Sequence, residues 1–158
     1  MFDLSQPPSA DNHYHHAHVA LLCDSYRRLL HKPLLDSDDQ ELGERLYYAD
    51  FALLSHDTAG DPLFNYANRQ ALDLFELNWQ DLSAMPSRHS AEAVNREERE
   101  RLLAQVTRQG YIENYAGIRI ARSGRRFWIR QAVVWNVIDD QGRYQGQAAC
   151  FNDWEFLP

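Results

Sequence analysis

The order of predicted elements points to an α+β domain on a five-stranded antiparallel sheet. Two helical segments, a short hairpin, three short helices and a three-strand meander follow one another along 158 residues. Three observations carry that order. Apolar residues recur at spacings of three, four and seven between His15 and His31, helix-capping residues punctuate the middle of the chain, and three long β-rich runs separated by turn residues close it.

The first 14 residues hold Pro7, Pro8, Ser5, Ser9 and Asp11, have little to bury, and are expected to form a flexible arm ahead of a single domain over 15–158. Val19, Leu22, Tyr26, Leu29 and Leu30 then share one helical face until Pro33 ends the run. Asp38 and Glu41 stand at capping-box spacing before a second helix through about Ala49, with Leu42 and Leu46 one turn apart. Phe51–His56 and Leu63–Tyr66, separated by Asp57-Thr-Ala-Gly-Asp-Pro62, read as a hairpin. Asn68 and Asn78 are N-caps for two short helices, and Asn95 with Glu98 is a second capping box for a longer one that stops at Gly110. Strands follow over about 111–122, 127–138 and 144–156, with turns at Ser123-Gly124 and Asp140-Gln-Gly142.

Composition narrows the function. Sixteen basic against 23 acidic residues give a net charge of −7, which disfavours direct nucleic-acid binding. Neither a signal segment nor a run of about 18 apolar residues is present, so a cytoplasmic protein without a membrane partner is expected. Cys23 and Cys150 lack any metal-binding or disulfide spacing and read as reduced thiols. The histidines at 13, 15, 16 and 18 adjoin the arm without the carboxylates or thiols of a defined centre, so no metal is assigned. There is no GxSxG, HExxH, P-loop or GxGxxG, and His56 and Asp57, adjacent on a strand, face opposite ways; the chain is not read as an enzyme.

The strand–helix–meander order, with Leu63-Phe-Asn-Tyr-Ala-Asn68, Arg122-Ser-Gly-Arg-Arg-Phe-Trp128 and Phe151-Asn-Asp153, resembles the PAS domain. More narrowly, Phe64-Asn-Tyr-Ala-Asn-Arg-Gln-Ala-Leu-Asp-Leu-Phe75, Pro86-Ser-Arg-His-Ser-Ala91, Asn95-Arg-Glu-Glu-Arg99 and Val134-Trp-Asn136 resemble the MEKHLA family from about His18 to Trp154. The resemblance implies a PAS-like sheet with short helices on one face, the N-terminal helices belonging to the same unit, and a role in small-molecule sensing or protein interaction. The transcription-factor role of the plant members does not carry over, since this chain has no homeodomain or zipper.

PAS strand alignments further imply an inward set of Ala52, Leu54, His56, Tyr115, Gly117, Arg119, Phe127, Ile129, Gln131, Val133, Trp135, Gln147, Ala149 and Phe151. His56, Arg119, Gln131 and Gln147 would converge on a ligand, with Tyr115 and Trp135 in its wall and Arg88 or His89 closing the pocket. An arginine flanked by amides suits a carboxylate or another anion. The run Asn95–Arg99 reads as a helix start with a solvated charged face. No cofactor is identified. The helical region lacks both the reactive cysteine of flavin-binding relatives and an axial histidine for haem. On this reading Trp128, Ala132, Val134 and Ile138 lie on the opposite face, which the first helix and a second protomer would cover, making a homodimer. The expected function is a noncatalytic sensor for a small organic ligand. The alternative is an interaction module filled by its own Phe75, Phe127, Trp135 and Phe151, and an enzyme using His56 as base ranks last.

Overall fold

The computed structural model describes residues 3–36 and 41–158. Helix α1 (His16–Leu30) and α2 (Leu42–Tyr47) precede the hairpin β1 (Ala52–His56) and β2 (Phe64–Ala67). Then come α3 (Arg69–Phe75), α4 (Trp79–Ser83), α5 (Ala93–Gln109), β3 (Tyr111–Ile120), β4 (Arg126–Ile138), β5 (Tyr144–Phe151) and β6 (Asp153–Phe156). All pairings are antiparallel, in the order β2-β1-β5-β4-β3. The single strand expected over 144–156 is broken at Asn152: β5 pairs with β4 over Val133–Ile138 and β6 over Phe127–Arg130. The path has the five antiparallel strands that the sequence predicts, with β6 as an added short strand beside β4.

Several local signals work as their chemistry requires. Asn68 Oδ1 accepts the Ala71 N–H at 3.2 Å and Asn78 Oδ1 accepts the Asp81 N–H at 2.8 Å, capping α3 and α4. Gly110, at φ 96°, ends α5 with its N–H on the Val106 carbonyl. The box Asn95–Glu98 does not form. Helix α5 begins three residues earlier, with Glu92 as N-cap, and Glu98 is instead free to accept the Tyr115 hydroxyl at 2.9 Å. The other expected box involves Asp38, which lies outside the described residues.

The sheet is covered on both sides. Helix α5 lies on the inner face, where Leu102 and Val106 are buried, and α1 lies on the outer face. Val19, Leu22 and Tyr26 of α1 are buried, and polar contacts fix the helix to the sheet. Trp135 Nε1 donates to the Leu22 carbonyl at 3.3 Å, His18 Nε2 meets Ser55 Oγ at 3.1 Å, and Ser25 Oγ both donates to the Ile138 carbonyl and accepts its N–H, each at 2.8 Å. The expected role of the first helix as an outer-face cover is what the structure has. The segment before it, expected as an arm, makes its own contacts: Trp79 Nε1 donates to the Leu4 carbonyl at 2.9 Å, and the His15 ring stacks on Trp79 at 5.5 Å.

Two bulges set the parity of the meander. Arg130 and Gln131 of β4 together oppose Ala116 alone, with Gln131 at φ 52°. Further along, Glu113 and Asn114 of β3 oppose Val133 alone, with Asn114 at φ 58°. The alternation of β4 therefore flips after Gln131. Ala132 and Val134, expected on the outer face, turn inward, whereas Gln131 is exposed and Trp135 turns outward beneath α1, edge-on to Tyr26 at 5.0 Å.

Candidate functional site

A cavity of about 60 Å³ lies between the inner face of the sheet and α3 and α5. Leu54 and His56 of β1 enter it beside Gln147 and Ala149 of β5, which they face in register. Tyr115 and Arg119 enter from β3, Ile129 and Val134 from the two sides of the β4 bulge, and Arg99 with Leu102 from α5. The walls are apolar, so the few charged and polar groups decide what can occupy it.

Arg99 and Arg119 are both buried, each 7% exposed, and neither forms an ion pair among the described residues. Arg119 Nη1 donates to the Ile118 carbonyl at 2.8 Å and Nη2 to the Tyr115 hydroxyl at 3.1 Å, with its guanidinium 5.5 Å from the Tyr115 ring centroid. The Tyr115 hydroxyl in turn donates to the Glu98 carboxylate, so Arg119 has a distant carboxylate through one phenol. Burial holds that phenol above its ordinary pKa and keeps it a donor. Arg99 makes no hydrogen bond to any described residue. Burial, reinforced by the Arg119 charge, brings Arg99 down to about 10, which leaves it cationic at neutral pH. A cavity with two buried guanidiniums and no carboxylate of its own is an electrostatic deficit that an anion would fill.

His56 is the third polar group. Its Nδ1 lies 2.9 Å from the Asp57 carbonyl, so the neutral ring carries its proton there, and Nε2 is a buried acceptor without a hydrogen-bond partner among the described residues. Burial lowers the His56 pKa; the Arg99 charge adds to the shift, while the Asp57 carbonyl and the Gln147 side chain oppose it. Gln147 lines the cavity, but its amide donates to the Leu103 carbonyl, Thr107 Oγ1 and Asn136 Oδ1, each at 3.1 Å, so its donors serve the α5–sheet junction.

A model of the MEKHLA domain matches residues 16–156. The chain belongs to the MEKHLA domain family. The homeobox-leucine zipper protein HOX10 of Oryza sativa subsp. indica is 26% identical over 139 residues, 86% of this chain and 17% of that one. ATHB-9 of Arabidopsis thaliana is 29% identical over 100 residues, 63% of this chain and 12% of that one. The chain thus spans less than a fifth of the curated relatives it matches. The fold is that of PAS domains. A PAS domain from Colwellia psychrerythraea superposes with a TM-score of 0.58 at 14% identity, covering 72% of this chain and 92% of that one. A light-oxygen-voltage domain studied with a flavin analogue gives 0.59 at 14%, covering 76% and 87%. A PAS domain of a LuxR-family regulator from Burkholderia thailandensis, in complex with ethanol, gives 0.53 at 16%, covering 72% and 95%.

Of the site residues expected from sequence, this MEKHLA domain brings His56, Tyr115, Arg119 and Gln147 to the cavity. It does not bring four others. Gln131 points to solvent and Trp135 to α1, both because of the bulge. Arg88 turns away to Asp61, with Nε 3.1 Å from its carboxylate, and His89 is exposed beside it. The Asp61 pair holds Arg88 on the outside of the turn, so the loop that PAS resemblance places over a ligand is closed by Ser90 instead, whose Oγ donates to the Ser87 carbonyl at 2.8 Å. Arg99, part of a run that reads as a solvated charged face, turns into the cavity instead. Its signal was available: Arg99, Leu102, Leu103 and Val106 fall at i, i+3, i+4 and i+7, so the arginine continues the apolar stripe of α5.

Gly117 makes room for the Tyr115–Arg119 pair. A Cβ there would lie 2.4 Å from the Tyr115 hydroxyl and 3.2 Å from Arg119 Nη1. Gly117→Ala is therefore expected to push the phenol off both partners at a stability cost of about 2–3 kcal/mol, since both of its hydrogen bonds are to charged groups and one alone is worth about 1.5–3 kcal/mol. Chemical denaturation measures the cost, and loss of the Tyr115–Glu98 contact should appear as a shifted phenol titration. An unchanged titration would mean that the pair does not depend on the glycine.

Proposed function

We propose that this MEKHLA domain is a noncatalytic sensor whose cavity holds a small organic anion. The observation that carries the reading is the buried Arg99, cationic and, among the described residues, unpaired beside Arg119. Size supports a small guest: about 60 Å³ is well below the ~300–1,000 Å³ typical of drug-sized and cofactor pockets. The PAS fold crystallised with ethanol is a precedent for a guest of a few heavy atoms. Catalysis is disfavoured because the His56 Nδ1 faces a backbone carbonyl, so no carboxylate orients the ring as a base.

Occupancy has a short route to the outer face. His56 borders the cavity while the adjacent Ser55 holds His18 of α1; Val134 borders it while the adjacent Trp135 holds the Leu22 carbonyl. An anion that binds more tightly to one position of β1 and β4 would bias α1 by that difference in affinity. The homodimer expected from a two-faced sheet would use the face around Trp128, which α1 leaves 36% exposed.

Arg99→Met tests the reading. Without an anion the variant is expected to be as stable as the parent or about 1 to 2 kcal/mol more stable, since an unpaired buried charge is replaced by an apolar chain of similar length. Any stabilisation by added carboxylates should vanish. A loss above about 2 kcal/mol in anion-free buffer would show that Arg99 is already paired and would sink the sensor reading.

The self-filled interaction module is the second reading, favoured by the small cavity and the edge-on contact of Phe75 with Phe127 at 5.1 Å. It is separated from the first by native mass spectrometry of the freshly purified chain, where a retained organic mass supports the sensor.

A further inference from the structure

We infer that the anion is a small hydroxy-carboxylate of two to four carbons, its carboxylate on Arg99 and Arg119 and its hydroxyl donating to His56 Nε2. The inference rests on the anion reading and adds what the cavity requires at its other end. Among the described residues that line it, the groups with unused hydrogen-bonding capacity are few. Arg119 has spent two of its five N–H donors and Arg99 none, so one end offers a dense set of cationic donors. The N–H donors of the Gln147 amide are engaged, and the Tyr115 hydroxyl both donates and accepts. His56 Nε2 is an acceptor, 93% buried with its residue, and nothing described donates to it.

A guest that satisfies both ends must carry an anion and, a few bonds away, an O–H or N–H. Each alternative leaves one end wrong. A simple carboxylate leaves the imidazole acceptor unpaired, an amino acid brings an ammonium toward two guanidiniums, and a dicarboxylate sets a second anion against a lone pair. Phosphate and hydrogen carbonate carry both functions, but the walls of Leu54, Phe75, Leu102, Ile129 and Val134 reward a carbon skeleton and offer nothing to the remaining oxygens of an inorganic ion.

The test is a panel of glycolate, L-lactate, propionate and inorganic phosphate titrated into the whole chain, read by calorimetry and by the thermal midpoint. L-lactate and propionate are close in size and differ by the hydroxyl. Tighter binding of L-lactate or glycolate than of propionate, by about tenfold or more, is expected, because a buried acceptor left unpaired costs about 1–3 kcal/mol. In His56→Phe the ratio should fall to about one while Arg99→Met loses both ligands. The ratio in the unaltered chain is informative by itself if His56→Phe does not fold. Equal binding of propionate and L-lactate, both lost in Arg99→Met, would overturn the hydroxyl inference and leave the anion reading standing. Binding of phosphate alone would overturn the carboxylate class. Binding of none of the four, with Arg99→Met destabilised, would overturn both.

Discussion

Replacing Asn68 with alanine is expected to lower the unfolding free energy by about 4 kcal/mol, the largest effect of any single polar side chain considered, from four lost hydrogen bonds and the unsatisfied groups left behind. Asn68 is fully buried and its amide joins three stretches of chain. Oδ1 accepts the N–H of Leu53 in β1 at 3.0 Å and that of Ala71 in α3 at 3.2 Å. Nδ2 donates to the Leu46 carbonyl of α2 at 3.1 Å and to the Phe51 carbonyl at 2.8 Å. Alanine would strand the Leu53 and Ala71 N–H groups and take a donor from the Phe51 carbonyl, while the Leu46 carbonyl keeps the Ala49 N–H at 3.2 Å, all in a region too tightly packed to admit water freely. Aspartate should do no better, since it keeps the acceptors but sets an oxygen against both carbonyls. For a chain of this length the loss corresponds to roughly 10 °C in thermal midpoint. Asn78→Ala is the control, because it removes one cap bond at an exposed position and should cost about 1 kcal/mol. Equal costs for the two would refute the joining role.

Asn68 also marks what the sequence tells and what it withholds. An asparagine before Ala71, Leu72 and Phe75 is legible as a helix cap from local spacing, as are Asn78, the Gly110 stop and the two turns of the meander. The further bonds from Asn68 to Leu46 and Phe51 are long-range and leave no local pattern. The inner face was legible wherever a strand alternates without interruption, which is why Leu54, His56, Arg119, Gln147 and Phe151 face the cavity as parity predicts. It failed at Gln131. A glutamine at φ 52° carries none of the glycine or asparagine chemistry that usually announces a left-handed residue, so the bulge was silent and the later residues of β4 were assigned to the wrong face. The compensating bulge sits at Asn114, a residue type that does tolerate this conformation, and so was the more readable of the two. Arg99 is hidden in the sequence for a different reason. Within Asn95–Arg99 a charge run reads as solvent-facing, and only the phase of the helix shows that one charge of the run points inward.

Acidification is expected to weaken the domain by about 3 kcal/mol between pH 6.5 and pH 4 through His18 alone, at about 1.4 kcal/mol per pH unit. The ring is 5% exposed, sits between Ser55 and the Tyr66 ring, and is pushed from 6.5 down to about 4, by burial first and by the nearby His15 second. Above pH 6.5 the imidazole is neutral in both the folded and unfolded chain, so the full stability is present. Below it the unfolded chain takes up a proton that the native site refuses until about pH 4, and stability falls as pH falls. His56, lowered in the same direction by its own burial, steepens the same window. The carboxylates lose their contribution lower down: Asp139 is held at about 2 by the Arg143 backbone N–H and further hydrogen bonds, so its part is lost only as pH drops below the ordinary carboxylate range. Urea unfolding across this range therefore resolves a histidine limb from a carboxylate limb. His18→Gln, which retains an amide for Ser55 without a titrating ring, should flatten the upper limb by about one proton's worth of slope. An upper limb unchanged in that variant would place the proton uptake elsewhere and remove His18 from the account. Because His18 fastens α1 to the outside of β1 while His56 borders the cavity one residue from Ser55, the loss would fall on the helix–sheet contact that the sensor reading uses for its output.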